Sequence, residues 1–215
     1  MDTSVFRAWI TSAAGVIEAN RDHLTQLDAA IGDADHGINL ARGFAAVLAA
    51  LDVKPAATPG AVLSLTGSTL ISKVGGASGP LYGMAFRRAG QALGAAEDVD
   101  LTALGQAMEA ALAGVQQLGA AREGDKTMVD ALAPATRALA KAVAEGATQA
   151  DGLAAAVAAA AEGAAATVSM EARKGRASYL GPRSVGHEDP GAASTVLILA
   201  ALRDAAARDA GTGAP

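Results

Sequence analysis

A chain of 215 residues has room for one large domain with a substantial core, and with 51% hydrophobic but only 3% aromatic residues that core must rest on alanine, glycine and the aliphatic side chains. A net charge of −5 argues against a nucleic-acid footprint, and the absence of cysteine excludes disulfides and thiol chemistry. The opening MDTSVFRAWITSAAG lacks the basic start and unbroken apolar run of a signal peptide, so a cytoplasmic protein is expected.

Residues from Ser4 to about Gln26 predict a first helix, with Thr3 or Ser4 as N-cap and Val5, Trp9, Ile10, Val16 and Ile17 on a broad apolar face. An acidic loop follows, then a second helix from about Ile38 to Leu51. Thr58-Pro59, an N-cap followed by an N1 proline, starts a third that reaches about Val74. A fourth resumes after Gly75–Pro80 and runs through Leu93; Asp100 caps a fifth to about Leu118. Gly124-Asp125 opens a sixth, which Pro134 should kink or briefly break. Thr148 and Asp151 begin a long alanine-rich seventh helix ending near Lys174-Gly175, interrupted by Glu162 and Gly163 and so read as a soluble helix rather than a membrane span. A polar loop, Gly175–Pro190, leads to a last helix from about Gly191 to Ala207, and the tail GTGAP is expected to fray. No stretch alternates as a strand should; Leu63, Leu65 and Leu70 suit a buried helix equally well. No repeat or linker divides the chain. The reading is one all-α domain over 1–215, an antiparallel bundle of about eight helices.

The stretch Leu27–Asn39 (LDAAIGDADHGIN) sets Asp28, Asp33 and Asp35 at spacings of five and two, followed by His36 and Asn39. Helical neighbours lie three or four apart, so a straight helix would scatter these carboxylates. Gly32 and Gly37 permit backbone conformations that other residues avoid, which predicts a helix ending near Asp28, a tight loop, and a new helix from near Gly37. Three converging carboxylates repel one another unless a cation lies between them. Hard oxygen ligands without cysteine favour Mg²⁺ or Ca²⁺. The alternative is a set of solvated loop aspartates, one of them an N-cap.

Short loops between antiparallel helices fall alternately at the two ends of a bundle. The loops joining helices one to two, three to four, five to six and seven to eight are therefore expected at the same end. Each suits a nucleotide. Gly75–Pro80 (GGASGP) offers unobstructed backbone N–H groups, a helix N-terminus and the Ser78 hydroxyl to phosphate. Gly124–Met128 (GDKTM) reads either as an Asp125 cap beside an exposed Lys126 or as a source of positive charge. Arg176 suits phosphate, Asp189 would cap the last helix or accept from a ribose or base, and His187 reads as a surface loop residue. Diphosphate against bare carboxylates is unfavourable at contact distance, so metal and nucleotide binding should be coupled.

LDAAIGDADHGIN, VGGASGPLYG, GDKTM and ARKGRASYLGPRSVGHEDPGA together resemble the nucleotide-binding L subunit (DhaL) family of dihydroxyacetone kinase, in the family's order, from about Asp28 to Ala200. The resemblance implies an eight-helix α-barrel holding ADP or ATP through two Mg²⁺ at one end. It makes Asp28, Asp33 and Asp35 the metal ligands. It lays His36, Gly37, Ile38 and Asn39 along the phosphates, with Ala77 and Ser78 as the phosphate-contacting part of the glycine turn. It gives Gly119, Met128, Arg176, Asp189, Pro190 and Gly191 the task of enclosing the rest of the nucleotide. It implies no covalent protein intermediate on this chain. Dihydroxyacetone would be held by a separate K subunit. A bound ADP would be rephosphorylated in place by a phosphohistidine protein, the M subunit, of the phosphotransferase system. The resemblance permits docking of the nucleotide-loaded protein on a transcriptional regulator; a homodimer is expected, without contact to nucleic acid or membrane.

Two competing readings stay open at this level. One is an L-type subunit of an ATP-dependent kinase for a related ketose. The other is a Mg²⁺-dependent ADP-ribosyl hydrolase, also helical and also built on aspartates, which would turn over alone.

Overall fold

The computed structural model describes residues 1–212, and among these every regular element is helical. Nine α-helices follow one another: α1 Thr3–Ala19, α2 Arg21–Ile31, α3 His36–Val53, α4 Pro59–Lys73, α5 Ser78–Leu93, α6 Leu101–Gly119, α7 Val129–Ala144, α8 Gln149–Ala166 and α9 Pro190–Thr212. Two 3₁₀ segments, Thr167–Ser169 and Arg176–Ser184, lie between α8 and α9. The expected frayed tail is helical at Gly211 and Thr212, and its last residues, 213–215, lie outside the described residues.

Capping chemistry fixes most helix starts. Thr58, Asp100 and Thr148 each accept a first-turn amide, from Ala61, Ala103 and Asp151. At the N-terminus the cap is Asp2 rather than Thr3 or Ser4, because its carboxylate takes both Ser4 N–H (2.8 Å) and Val5 N–H (3.1 Å). The expected first helix is divided. The side-chain amide and backbone N–H of Asn20 both donate to the Val16 carbonyl, and α2 restarts one residue later. The chain bends there without reversing.

Each helix packs on the next in the order α1, α3, α4, α5, α6, α7, α8, α9 and back to α1. This closed ring is the eight-helix barrel, with α2 standing against α3 and α9 beside it. The interior is strung on the few large rings available: Phe6 meets Trp9 edge-on at 5.8 Å, Trp9 meets Phe86 at 5.7 Å, and Phe86 meets Phe44 at 6.2 Å. The Trp9 indole N–H donates to the Ile198 carbonyl at 2.9 Å and so ties α1 to α9 where the ring closes.

Elsewhere, the walls meet through residues with no side chain to spare. Gly60 and Gly67 on α4 face Gly90 and Gly83 on α5. A Cβ at Gly90 would stand 2.5 Å from Ser64 Oγ and 2.6 Å from the Gly60 carbonyl. Pro134 neither breaks nor ends α7. The Asp130 carbonyl, which loses its helical donor to the proline, is turned against Gly163 of α8.

The seventh predicted helix is shorter than expected, since α8 stops at Ala166. Thr167 is fully buried, donates its hydroxyl to the Ala164 carbonyl (2.6 Å) and accepts Asp189 N–H (3.0 Å), which turns the chain out of the helix. Among the described residues one segment, 149–169, has the length and mean hydropathy (1.4) of a membrane span; alanine supplies that hydropathy, and Leu153, Ala156, Val157, Ala160 and Ala164 are buried on the barrel side.

Glycine contacts give opposite expectations at two positions. Gly90→Ala should destabilise the protein by about 1–3 kcal/mol through overpacking, whereas Gly15→Ala, in α1 with open space around it, should stabilise by roughly 0.5–1 kcal/mol through helix propensity. Urea unfolding of the two variants checks both signs.

Candidate functional site

The four unusual loops meet at one mouth of the barrel, around a cavity of about 360 Å³, within the range of small-molecule sites. The α2–α3 loop contributes Asp28, Gly32, Asp33, Asp35 and His36; the α4–α5 turn Gly76, Ala77 and Ser78; the α6–α7 loop Gly119, Ala121 and Lys126–Met128; the α8–α9 segment Lys174–Ala177 and Asp189–Gly191. Their convergence follows from alternation around the ring and survives the extra break at Asn20, which does not reverse the chain.

Asp28 sits in the last turn of α2, 8% exposed. Its Oδ2 accepts Asp35 N–H (2.8 Å) and His36 N–H (3.1 Å), so a carboxylate seven residues upstream caps α3. Gly32 lies against that side chain where a Cβ would collide with it, and Ala34 takes a left-handed backbone (φ 60°) between the other two acids. The result places one oxygen of each of Asp28, Asp33 and Asp35 within 4.8 Å of the others, a set that could hold a divalent ion. Arg176 Nη2 pairs with Asp33 Oδ2 at 3.0 Å, with both side chains well exposed.

His36 lines the cavity with both ring nitrogens engaged. Its Nδ1 bonds Ser78 Oγ at 3.0 Å and its Nε2 bonds Ser194 Oγ at 2.9 Å, so the ring joins the acidic loop to the glycine turn and to α9. Burial pushes its pKa down to about 4, and the ring is neutral at pH 7. Beyond Ser194 the Tyr82 hydroxyl bonds Ser194 Oγ (2.7 Å), Thr195 Oγ1 (2.9 Å) and the Gly191 carbonyl (2.9 Å), and burial raises its pKa, keeping it protonated. Sequence reading missed Tyr82, Ser194 and Thr195. The i, i+3, i+4 run of Gly191, Ser194 and Thr195 in the apolar first half of α9 is the available signal.

Gly37, Ile38 and Asn39 do not line the cavity. Gly37 packs on Arg21 and Thr25 of α2, Ile38 is half-exposed beside α2, and Asn39 is buried and accepts from Arg42 (2.7 Å). What this turn can offer an anion is the backbone N–H groups of Gly37 and Ile38, which have no partners inside the helix. Ala77 and Ser78 do reach the cavity, at a turn where Gly76 has φ 68°. Leu81, Val115, Leu118, Gly119 and Met128 supply an apolar part of the lining.

The 124–128 stretch is a turn and not the first turn of α7. Asp130 draws it back by accepting Thr127 N–H (2.7 Å) and Gly124 N–H (2.5 Å). Lys126 is 1% exposed, so the expected exposed lysine is instead a buried one. Asp189 caps α9 through Ala192 N–H (2.7 Å), and its burial pushes its pKa up to about 7. His187 is a surface residue.

A closed helical barrel with three convergent carboxylates and a glycine turn around one cavity defines the class of protein to which this chain belongs. Residues 30–204 match the DAK2 domain, and the chain belongs to that family. It is 43% identical over 198 residues to the PEP-dependent dihydroxyacetone kinase ADP-binding subunit DhaL of Escherichia coli, covering 92% of this chain and 94% of that one. It is 38% identical to the PTS-dependent counterpart from Lactococcus lactis, covering 96% and 98%. The solved dihydroxyacetone kinase of C. freundii in complex with AMP-PNP and Mg²⁺ superposes with a TM-score of 0.68 at 29% identity; the match covers 95% of this chain but 34% of that longer one.

The two buried titrating groups oppose each other. His36, depressed from 6.5 to about 4, contributes stability that is lost as pH falls through this window. Asp189, raised from 3.8 to about 7, contributes stability that is lost as pH rises through its own. Relative to the parent, Asp189→Asn should therefore gain stability as pH rises from 4 to 7, and His36→Gln should lose it between 4 and 6.5. Urea midpoints measured from pH 4.5 to 8 check the two slopes.

Proposed function

We propose that this chain is the nucleotide-carrying subunit of a dihydroxyacetone kinase. In this reading it holds ADP or ATP with Mg²⁺ in the barrel mouth and presents the terminal phosphoryl group to dihydroxyacetone held on a separate K subunit. The supporting observation is the shared cavity of the acid triad and the glycine turn, in a chain alike over nearly its whole length to subunits named for ADP binding.

Residues 1–215 act as a single nucleotide-binding unit. Asp28, Asp33 and Asp35 hold the metal, two ions in this reading, which would supply charge neutralisation for the diphosphate and for the phosphoryl group in transfer. The first-turn N–H groups of α3 and the Ala77–Ser78 turn receive the phosphates, with His36 holding Ser78 in place and Asn39 supporting the turn. Arg176 stands at the acid cluster within reach of the same phosphates. Gly119 and Met128 enclose the base, and Asp189, Pro190 and Gly191 the remaining side.

Relatives named as PEP- or PTS-dependent favour ADP as a resident cofactor, recharged by a phosphohistidine protein of the phosphotransferase system. A cytoplasmic homodimer completes the proposal. The second reading is an ATP-dependent kinase subunit for a related ketose; the AMP-PNP complex of the C. freundii dihydroxyacetone kinase favours its exchange of ATP.

Native mass spectrometry of the protein as purified separates the two: retained ADP with two magnesium ions supports the resident-cofactor mode, and an empty protein supports exchange. Asp33→Ala should lower Mg²⁺-dependent ADP affinity by at least about 100-fold with far-ultraviolet circular dichroism unchanged, a loss of roughly 3 kcal/mol. Unaltered affinity by calorimetry would remove the metal assignment.

A further inference from the structure

The segment between α8 and α9 brings Arg176 and the start of α9 to the cavity, yet its own apolar cluster is only Ile31, Ala172, Ala177 and Leu180. What orders it is a cation from a different loop. The Lys126 ammonium donates to the carbonyls of Thr167 (2.8 Å), Met170 (3.1 Å), Ser184 (2.7 Å) and His187 (2.5 Å). The first two are the carbonyls that residues 171 and 174 would have used had α8 continued. The last two close the far end of the segment. Three ammonium protons serve four acceptors, so one is shared, and main-chain dipoles surround the charge as they would a bound metal ion.

Lys126 reaches this position through a left-handed backbone (φ 61°), in a turn that Asp130 pins on both sides. A buried ammonium is costly unless each of its protons is bonded, and non-glycine residues hold positive φ where the surroundings compel it. Both features point to a function for the side chain that a surface lysine would not have. Three further bonds depend on the same arrangement: Arg173 N–H to the Asp125 carbonyl (3.0 Å), Gly186 N–H to the Val168 carbonyl (2.7 Å) and Ala172 N–H to Ser184 Oγ (2.9 Å).

We propose that Lys126 is a positioning residue: its ammonium is the post around which residues 167–189 fold, and through that fold it sets where Arg176 and the α9 N-terminus stand. The structural half rests on the four carbonyl contacts alone, and its consequence for ligand rests on the cavity being a nucleotide site.

Lys126→Met keeps the length and removes the donors. Amides of residues 167–189 should then exchange with deuterium at least tenfold faster while those of α4, α5 and α6 stay within twofold. Mg²⁺–ADP affinity should fall at least tenfold, and this loss should shrink to under threefold in an Arg176→Ala background, because no guanidinium remains to be misplaced. Unchanged exchange in a folded variant overturns the proposal, as does full additivity of the two losses. If Lys126→Met does not fold, ¹⁵N-lysine spectra of the parent protein decide: a slowly exchanging ammonium signal at pH 7 supports the post, and its absence overturns it. Should the parent protein itself fail to bind Mg²⁺–ADP, the nucleotide reading falls while the exchange measurement still decides the role of Lys126.

Discussion

Mutual repulsion of three carboxylates is the constraint from which the rest of the barrel mouth follows. Two unit charges at 4.8 Å oppose each other by about 1 kcal/mol in water and by about 3–4 kcal/mol at the effective dielectric of a protein surface. Asp28 answers by accepting two amides at the start of α3, and Asp33 by pairing with Arg176. The left-handed turn at Ala34 keeps the set together in spite of that repulsion. A divalent cation would satisfy the same arrangement more completely than a single guanidinium, and an anionic ligand beside these acids would be compatible with them only across such an ion.

The barrel makes such a mouth possible by giving up side-chain volume. Glycines at the α4–α5 and α7–α8 crossings let neighbouring helices approach backbone to backbone, and alternation around the closed ring delivers four loops to one rim. Each loop then needs support from outside itself. His36 fastens the acidic loop to the glycine turn and α9; Asp130 fastens the turn before α7; Lys126 fastens the approach to α9. The polar groups that look least like ligands hold the ligand-facing ones in place.

Much of this was legible in the chain. Thr58, Asp100 and Thr148 announced their helices through capping chemistry, and helix parity alone placed the acidic loop and the glycine turn together. Errors arose where a distant partner overrode local pattern. The chain past Ala166 leaves the helix where Thr167 is bonded to Asp189 N–H and where the Thr167 and Met170 carbonyls meet a lysine some forty positions earlier, partners that no local pattern announces. Lys126 itself looked like a surface residue because nothing nearby in sequence reveals what its ammonium meets. The His36–Ser194–Tyr82 network joins positions too far apart for any short motif to encode.

Trp9 is the single tryptophan of the chain and is 6% exposed, wedged between Phe6 and Phe86 with its indole bonded across the seam where first and last helices meet. Tryptophan emission, excited selectively over the two tyrosines, therefore originates from one known point buried in the wall. Opening of that seam would bring water to the indole and redden the spectrum. The molecule thus carries a native optical gauge of whether its ring of helices is closed.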